Sequence, residues 1–219
     1  MRTLLHVPAA LLLSTCAWVS HAGNLQVTVL DKDGKPAPDA VVIVIPAGKG
    51  VAKNPPPMQA VVNQEKMQFI PAVTVVAQGA RIRMVNNDPW DHHVRMSPPG
   101  LAQVGTEGYT FRLEGKTEGK PPKSVDVVMD KPGASGATLL GCFIHGSMSG
   151  HVFVADSPWT EKTDANGQVS IEDLPQGAAK ILVWHAVQPV PVAPQNLVIT
   201  ATPVKVTLQL DVVLRKRRS

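Results

Sequence analysis

The chain is poor in several residue types that would open other functional classes. Among 219 residues there are two cysteines, one tyrosine, four phenylalanines and four tryptophans, and only 17% of residues are charged. Two cysteines cannot build the multi-bridge framework of a small secreted scaffold. After the first 22 residues no apolar run is long enough to cross a membrane as a helix. No long amphipathic helical pattern is present, and no internal repeat. A basic face for nucleic acid is lacking as well. Taking Arg2 and the four basic residues Arg215, Lys216, Arg217 and Arg218 from the 21 Lys and Arg leaves 16 against 17 Asp and Glu. The body is therefore close to neutral, and the positive net charge sits at the end of the chain. That tail is a candidate contact for an acidic surface or anionic lipid, and its plain reading is a solvated end.

What is present begins with an export signal over residues 1–22. Arg2 is the short basic start, Leu4 to Val19 is mostly apolar, and Ser20-His21-Ala22 has the small-x-small form of a cleavage site. The apolar stretch is interrupted by Pro8, Ser14 and Thr15 and is short for a span. Cys16 follows Leu13-Ser14-Thr15, but threonine immediately before it argues against a lipoprotein signal. The mature chain is expected to begin at Gly23 in a periplasm or outside the cell. Cleavage would leave Cys142 as the single thiol in an oxidising compartment, where it must be buried, paired between chains, catalytic or bound to metal.

The remainder reads as all-β. Valine is abundant, and 17 glycines and 20 prolines punctuate short runs. Alternation or short apolar runs predict strands at 25–30, 41–45, 67–69, 73–76, 81–85, 92–96, 109–113, 124–129, 138–142, 150–154, 168–172, 179–184, 197–200 and 204–213. Asp31-Lys32-Asp33-Gly34 and Thr163-Asp164-Ala165-Asn166-Gly167 predict turns. The prolines between Gln188 and Pro194 exclude a central strand there. Many short strands separated by turn signals predict β-sandwiches.

Two stretches carry chemistry. In "GCFIHGSMSG", Cys142, His145 and Met148 follow a C-x2-H-x2-M spacing on one short loop. In "NNDPWDHHV", His92 and His93 are adjacent on a predicted strand and so point to opposite faces. His92 shares its face with Val94 and Met96. His93 shares the other with Arg95 and Ser97. Alternation therefore directs His92 inward and His93 outward. The inward set of two imidazoles, one thiolate and one thioether is the donor set of blue-copper electron-transfer sites, His2Cys with a weak axial Met. Thioether is a poor donor for zinc, which takes four firm N, S or O ligands. The plainer readings are an inert buried thiol for Cys142, a hydrogen-bonded core histidine for His92 and core packing for Met148. The spacing favours ligation. His151 is a possible substitute ligand, with a structural role the simpler assignment, and His185, after Trp184 at a strand end, reads as structural. Trp90 and Trp159 read as packing anchors. Asp88 and Asp91 show no paired acid/base arrangement.

These residues resemble a family. Residues 67–156 are similar to cupredoxins of the plastocyanin and amicyanin type: "NNDPWDHHV" resembles their Asn-Asn-x4-His-x-Val stretch, and "GCFIHGSM" their short Cys-x2-His-x2-Met loop. The resemblance implies a Greek-key sandwich binding one type 1 copper through His92, Cys142, His145 and Met148, and transient contact with redox protein partners. One departure is His93, where the family usually has asparagine ordering the ligand loops. The flanks, "VTVLDKDGKPAPDAVVIV" and "TDANGQVSIEDLPQGAAKILVWH", resemble two halves of a carboxypeptidase-regulatory-like, transthyretin-like sandwich. Together the resemblances imply a cupredoxin domain, residues 63–156, inserted into an Ig-like domain formed by 23–62 and 157–214, with 215–219 a basic tail. The whole is similar to bacterial proteins of the methylamine-utilisation or plastocyanin-like kind. The expected function is single-electron transfer in the periplasm rather than enzymatic catalysis, with a copper carrier or store as the alternative. A cysteine hydrolase built on Cys142 and His145 would need an orienting Asn or Asp and an oxyanion loop, and neither is evident. A sandwich pair whose metal site has decayed is the remaining reading.

Overall fold

The computed structural model describes residues 22–98, 109–130 and 136–215, and all of their regular structure is strand. Residues 1–21 of the expected export signal and the tail beyond Arg215 lie outside the described residues. No described helix is long and apolar enough to cross a membrane. The strands are β1 (Ala22–Leu30), β2 (Val41–Pro46), β3 (Gln59–Glu65), β4 (Gln68–Ile70), β5 (Val73–Ala77), β6 (Ala80–Asn86), β7 (His92–Ser97) and β8 (Tyr109–Leu113). They continue with β9 (Ser124–Met129), β10 (Thr138–Cys142), β11 (Ser149–Ala155), β12 (Trp159–Lys162), β13 (Gln168–Pro175), β14 (Gly177–Trp184), β15 (Gln195–Ile199) and β16 (Val204–Gln209).

Four sheets result. Strands from the two ends of the chain share two of them, in the orders β13-β1-β16 and β12-β2-β14-β15. Strands from the middle form the other two, β5-β11-β10-β7-β8 and β4-β3-β6-β9. Within each pair of sheets the inward faces meet in one apolar cluster. The first joins Leu25, Val27 and Val29 of β1 to Val42, Val44, Ile181, Ile171 and Leu208. The second joins Val62, Ile82 and Met84 to Val94, Met96, Leu140, Val152 and Val154. Alternation along β1 and β6 is what this arrangement requires, since one face of each strand is buried and the other is wetter.

Not every strand alternates. Val41 to Val44 of β2 are all buried, as are Val152 to Ala155 of β11. Both of their faces are covered, which explains the unbroken apolar runs. Val41 and Ile43 turn away from their own core toward Val73 and Phe153, with Leu182 and Trp184 packed alongside. This third cluster joins the two pairs of sheets. The Lys162 ammonium reinforces it, reaching Asp39 Oδ1 at 2.6 Å and the carbonyl of Val73 at 3.1 Å.

The structure departs most from the expected strand map in three places. β3 was not anticipated: its sequence, QAVVNQE, carries one core face of only Val62 and Gln64. Because β3 runs parallel to β6, from Gln59↔Arg81 to Gln64↔Asn86, residues 59–62 lie in a sheet of the middle segment. The boundary expected after residue 62 therefore falls inside a strand. β12 was also missed, since Pro158 and the charged Glu161 and Lys162 obscure a four-residue run that pairs with β2. The last strand ends at Gln209 rather than at 213.

Candidate metal centre

The two chemistry-bearing stretches meet at one end of the middle sheets. β7 and β10 are antiparallel neighbours, with Cys142 opposite Val94 and Leu140 opposite Met96. His92 opens β7 two residues before Val94, on the same inward face, and is 0% exposed. Cys142 closes β10 and is buried. Beyond it the chain turns back into β11. The backbone N–H of Met148 donates to the His145 carbonyl at 2.9 Å, and the N–H of Phe143 to the His93 carbonyl at 3.0 Å. This short loop swings the His145 ring over the sulfur.

Three donor atoms converge there. Cys142 Sγ lies 3.6 Å from His92 Nδ1 and 3.5 Å from His145 Nδ1, and the two Nδ1 atoms are 3.2 Å apart. The set His92, Cys142 and His145 is the group among the described residues able to present three such ligand atoms to one ion. The distances fit a metal. Bonds of ~2.0 Å to nitrogen and ~2.3 Å to sulfur put donor atoms ~3.5 Å (N–N) and ~3.7 Å (N–S) apart in a trigonal plane. The observed edges of 3.2–3.6 Å are close to these, so the three atoms could hold one ion. Hydrogen bonds alone would not draw all three atoms together, because two imidazoles and one thiol cannot satisfy three mutual edges with in-line protons. Met148 is buried in the same cluster as Cys142. His145 is half-buried, whereas Phe143 and Ile144 beside it are 55% and 57% exposed.

The carboxylate of Asp88 is the residue that sequence reasoning passed over. It is 3% exposed, and its Oδ2 lies 2.9 Å from His92 Nε2, the ring nitrogen facing away from the cluster. With Nδ1 turned to the other donors, the proton of a neutral ring is on Nε2 and the carboxylate accepts it. Asp88 also accepts the N–H groups of Lys66 (2.6 Å, to Oδ1) and Met67 (3.0 Å, to Oδ2). Both donors have left-handed backbone, with φ of 53° and 57°, so that successive N–H groups point into one concavity. Burial pushes the Asp88 carboxyl up, but the bonds from Met67, His92 and Lys66 outweigh it and hold it below the usual carboxylate range. A signal was available, since Asp88 stands four residues before His92. It became interpretable only once β3 placed the turn at 66–67 beneath it.

The rest of the 86–92 loop is tied down. Buried Asn86 donates through Nδ2 to the carbonyls of Trp90, Leu113 and Glu114, and its Oδ1 accepts from the N–H of Asp88. Asp91 pairs with Arg112 and accepts the Gly115 N–H, and the guanidinium followed by that N–H holds its carboxyl below the usual range.

The other histidines lie elsewhere. His93 is half-buried, with its ring 5.0 Å from that of Phe143. His151 faces the joining cluster, its ring 5.5 Å from Trp184. His185 bonds the carbonyl of Pro38 and accepts the Val187 N–H, away from the centre. Trp159 is buried in the first core with Nε1 bonded to the Asp173 carbonyl, whereas Trp90 is 41% exposed.

No protein-family description and no characterised protein sequence matches the chain. Solved structures that resemble part of it include a copper-containing nitrite reductase from Thermus scotoductus SA-01, at 19% identity and a TM-score of 0.36 over 45% of this chain. Amicyanin from Paracoccus versutus is similar at 23% identity and a TM-score of 0.32, over 51% of this chain and 96% of its own. Auracyanin from Roseiflexus castenholzii is similar at 17% identity and a TM-score of 0.35, over 45% and 97%. The chain spans about a fifth of the nitrite reductase, 22% of its length.

Proposed function

We propose that this chain is a periplasmic single-electron carrier holding one type 1 copper. In this reading His92, Cys142 and His145 would hold the ion firmly, and Met148, buried in the same cluster as Cys142, would be the weak fourth donor. The observation that carries it is the convergence of two imidazole Nδ1 atoms and one thiol within 3.2–3.6 Å, in a buried setting. Copper in such a site supplies a one-electron couple.

The chain's own residues do the rest. His92 is immobilised by Asp88, Cys142 by its strand and His145 by its turn, so the donors keep their places when charge changes. The apolar cluster beneath them keeps water from the sulfur. The half-buried edge of His145 is the shortest path to solvent, and exposed Phe143 and Ile144 beside it offer a small apolar contact for a redox protein bound transiently. The chain division that accompanies this reading is a cupredoxin unit, about 58–156, set between flanks 23–57 and 157–214 that form an Ig-like unit. The flanks' shared sheets support it.

The alternative is a copper carrier using the same ligands. Voltammetry of the copper-loaded protein separates the two. A reversible wave of one electron per chain, with fast electron exchange and no metal loss over repeated cycles, is the expected result. Release of copper to a competing chelator upon each reduction would favour carriage.

A further inference from the structure

We infer that Asp88 sets the reduction potential of the centre, holding it lower than the same ligands would give without it. The inference rests on the copper reading above. Asp88 accepts three N–H groups, from Lys66, Met67 and His92, so it is placed as an anion. It is 3% exposed and His92 is 0% exposed, so water screens this charge poorly.

Counting charges shows the direction. With the Cys142 thiolate as the sole anion, the centre carries one positive charge with Cu(II) and none with Cu(I). With the Asp88 carboxylate included, it is neutral with Cu(II) and carries one negative charge with Cu(I). A buried site favours whichever state is neutral. The carboxylate therefore stabilises the oxidised centre relative to the reduced one. The bond it accepts from His92 acts in the same sense, because withdrawing the Nε2 proton toward oxygen makes Nδ1 a stronger donor to the more highly charged ion. The couple is a one-electron exchange with an external reductant, with no proton or ligand transferred. Asp88 is a positioning residue: it touches His92 and not the metal.

Neighbouring groups do not cancel the charge. The Lys66 and Met67 contributions are backbone N–H groups. Asp91, the next carboxylate along the loop, is compensated by Arg112.

The test is the Asp88→Asn variant, loaded with copper and compared with the unaltered full chain by voltammetry. The expected result is a rise in the ratio of Cu(I) to Cu(II) affinity of about tenfold or more, each tenfold being ~59 mV for one electron. An unchanged or lower potential in a variant that keeps its visible copper band overturns the inference. That outcome would leave the copper assignment standing, since the assignment is tested separately by whether the unaltered chain shows the band. Should the variant not fold, proton NMR of the unaltered Cu(I) protein decides. A downfield His92 Nε2–H signal protected from exchange is expected, and its absence from an otherwise assigned spectrum contradicts the inference.

Discussion

Gln64 illustrates how a single residue can run against its surroundings. It lies on the inward face of β3, is fully buried, and neither its Oε1 nor its Nε2 has a hydrogen-bond partner. A buried amide left unpaired costs about 1–3 kcal/mol relative to a pairing or an apolar replacement. Gln64→Met keeps the volume and removes both polar atoms. It is expected to stabilise the metal-free protein by about 1 kcal/mol, read as a rise of about 2–4 °C in Tm. A loss of stability would mean that the amide is satisfied in solution. His185 gives a second prediction. Burial pushes its pKa below the ordinary 6.5, partly offset by the bond to Pro38. Its Nδ1 accepts the Val187 N–H, so the neutral ring is the one the fold uses. As pH falls below about 6.5 the unfolded chain takes up a proton before the folded one does, and this contribution to stability declines until the folded pKa is passed. Above neutrality it is complete. Thermal unfolding between pH 7.5 and 5 is expected to show a smaller decline in Tm for His185→Gln than for the unaltered chain; equal declines would show that His185 does not contribute to the pH dependence.

At the level of elements, the centre depends on loops pinned by strands. Gly115 is one pin. A Cβ there would stand 2.3 Å from the Pro89 carbonyl oxygen, a contact that backbone cannot relieve by rotating a side chain. Gly115→Ala must push the 88–91 segment away and with it the partner of His92. Its metal affinity is expected to fall by about 10–100-fold, the range seen when an outer partner of a ligand is lost. Titration against a chelator of known affinity checks this, and unchanged affinity would show that the loop is not rigidly coupled to the ligand. Elements also show why the sequence could be read so far and no further. β7 was legible because it alternates from His92 to Met96, and that alternation was enough to separate His92 from His93. The C-x2-H-x2-M spacing identified a turn without any tertiary information. β3 was not legible, because Gln64 occupies a core position and breaks the apolar pattern. With β3 missing, the 66–67 turn had no location, and Asp88 could not be connected to His92. The role of Asp88 is a property of segments that are distant in sequence and brought together by the pairing of β3 with β6.

On the scale of the molecule, two pairs of sheets share the third apolar cluster of Val41, Ile43, Val73 and Phe153. Phe153 is the largest of these side chains, and its ring lies 5.6 Å from that of Trp184 in the other pair. Phe153→Ala is expected to cost about 3–5 kcal/mol. Its calorimetric trace should separate into two transitions where the unaltered chain shows one, because the mutation weakens the joint more than either core. A single shifted transition would instead show that the two sandwiches remain one cooperative unit without this ring. The continuous apolar runs at 41–44 and 152–155 were visible as strands in the sequence. Their burial on both faces was not, since a run covered by its own partner sheet and one covered by a second sandwich look alike.

In the proposed centre, His92, Cys142 and His145 bind one copper ion through a thiolate. Visible absorption of the purified protein titrated with Cu(II) tests it most directly. An intense thiolate-to-copper band that saturates at one ion per chain and is lost in Cys142→Ser is expected. A colourless protein, or a band that survives that substitution, would contradict it.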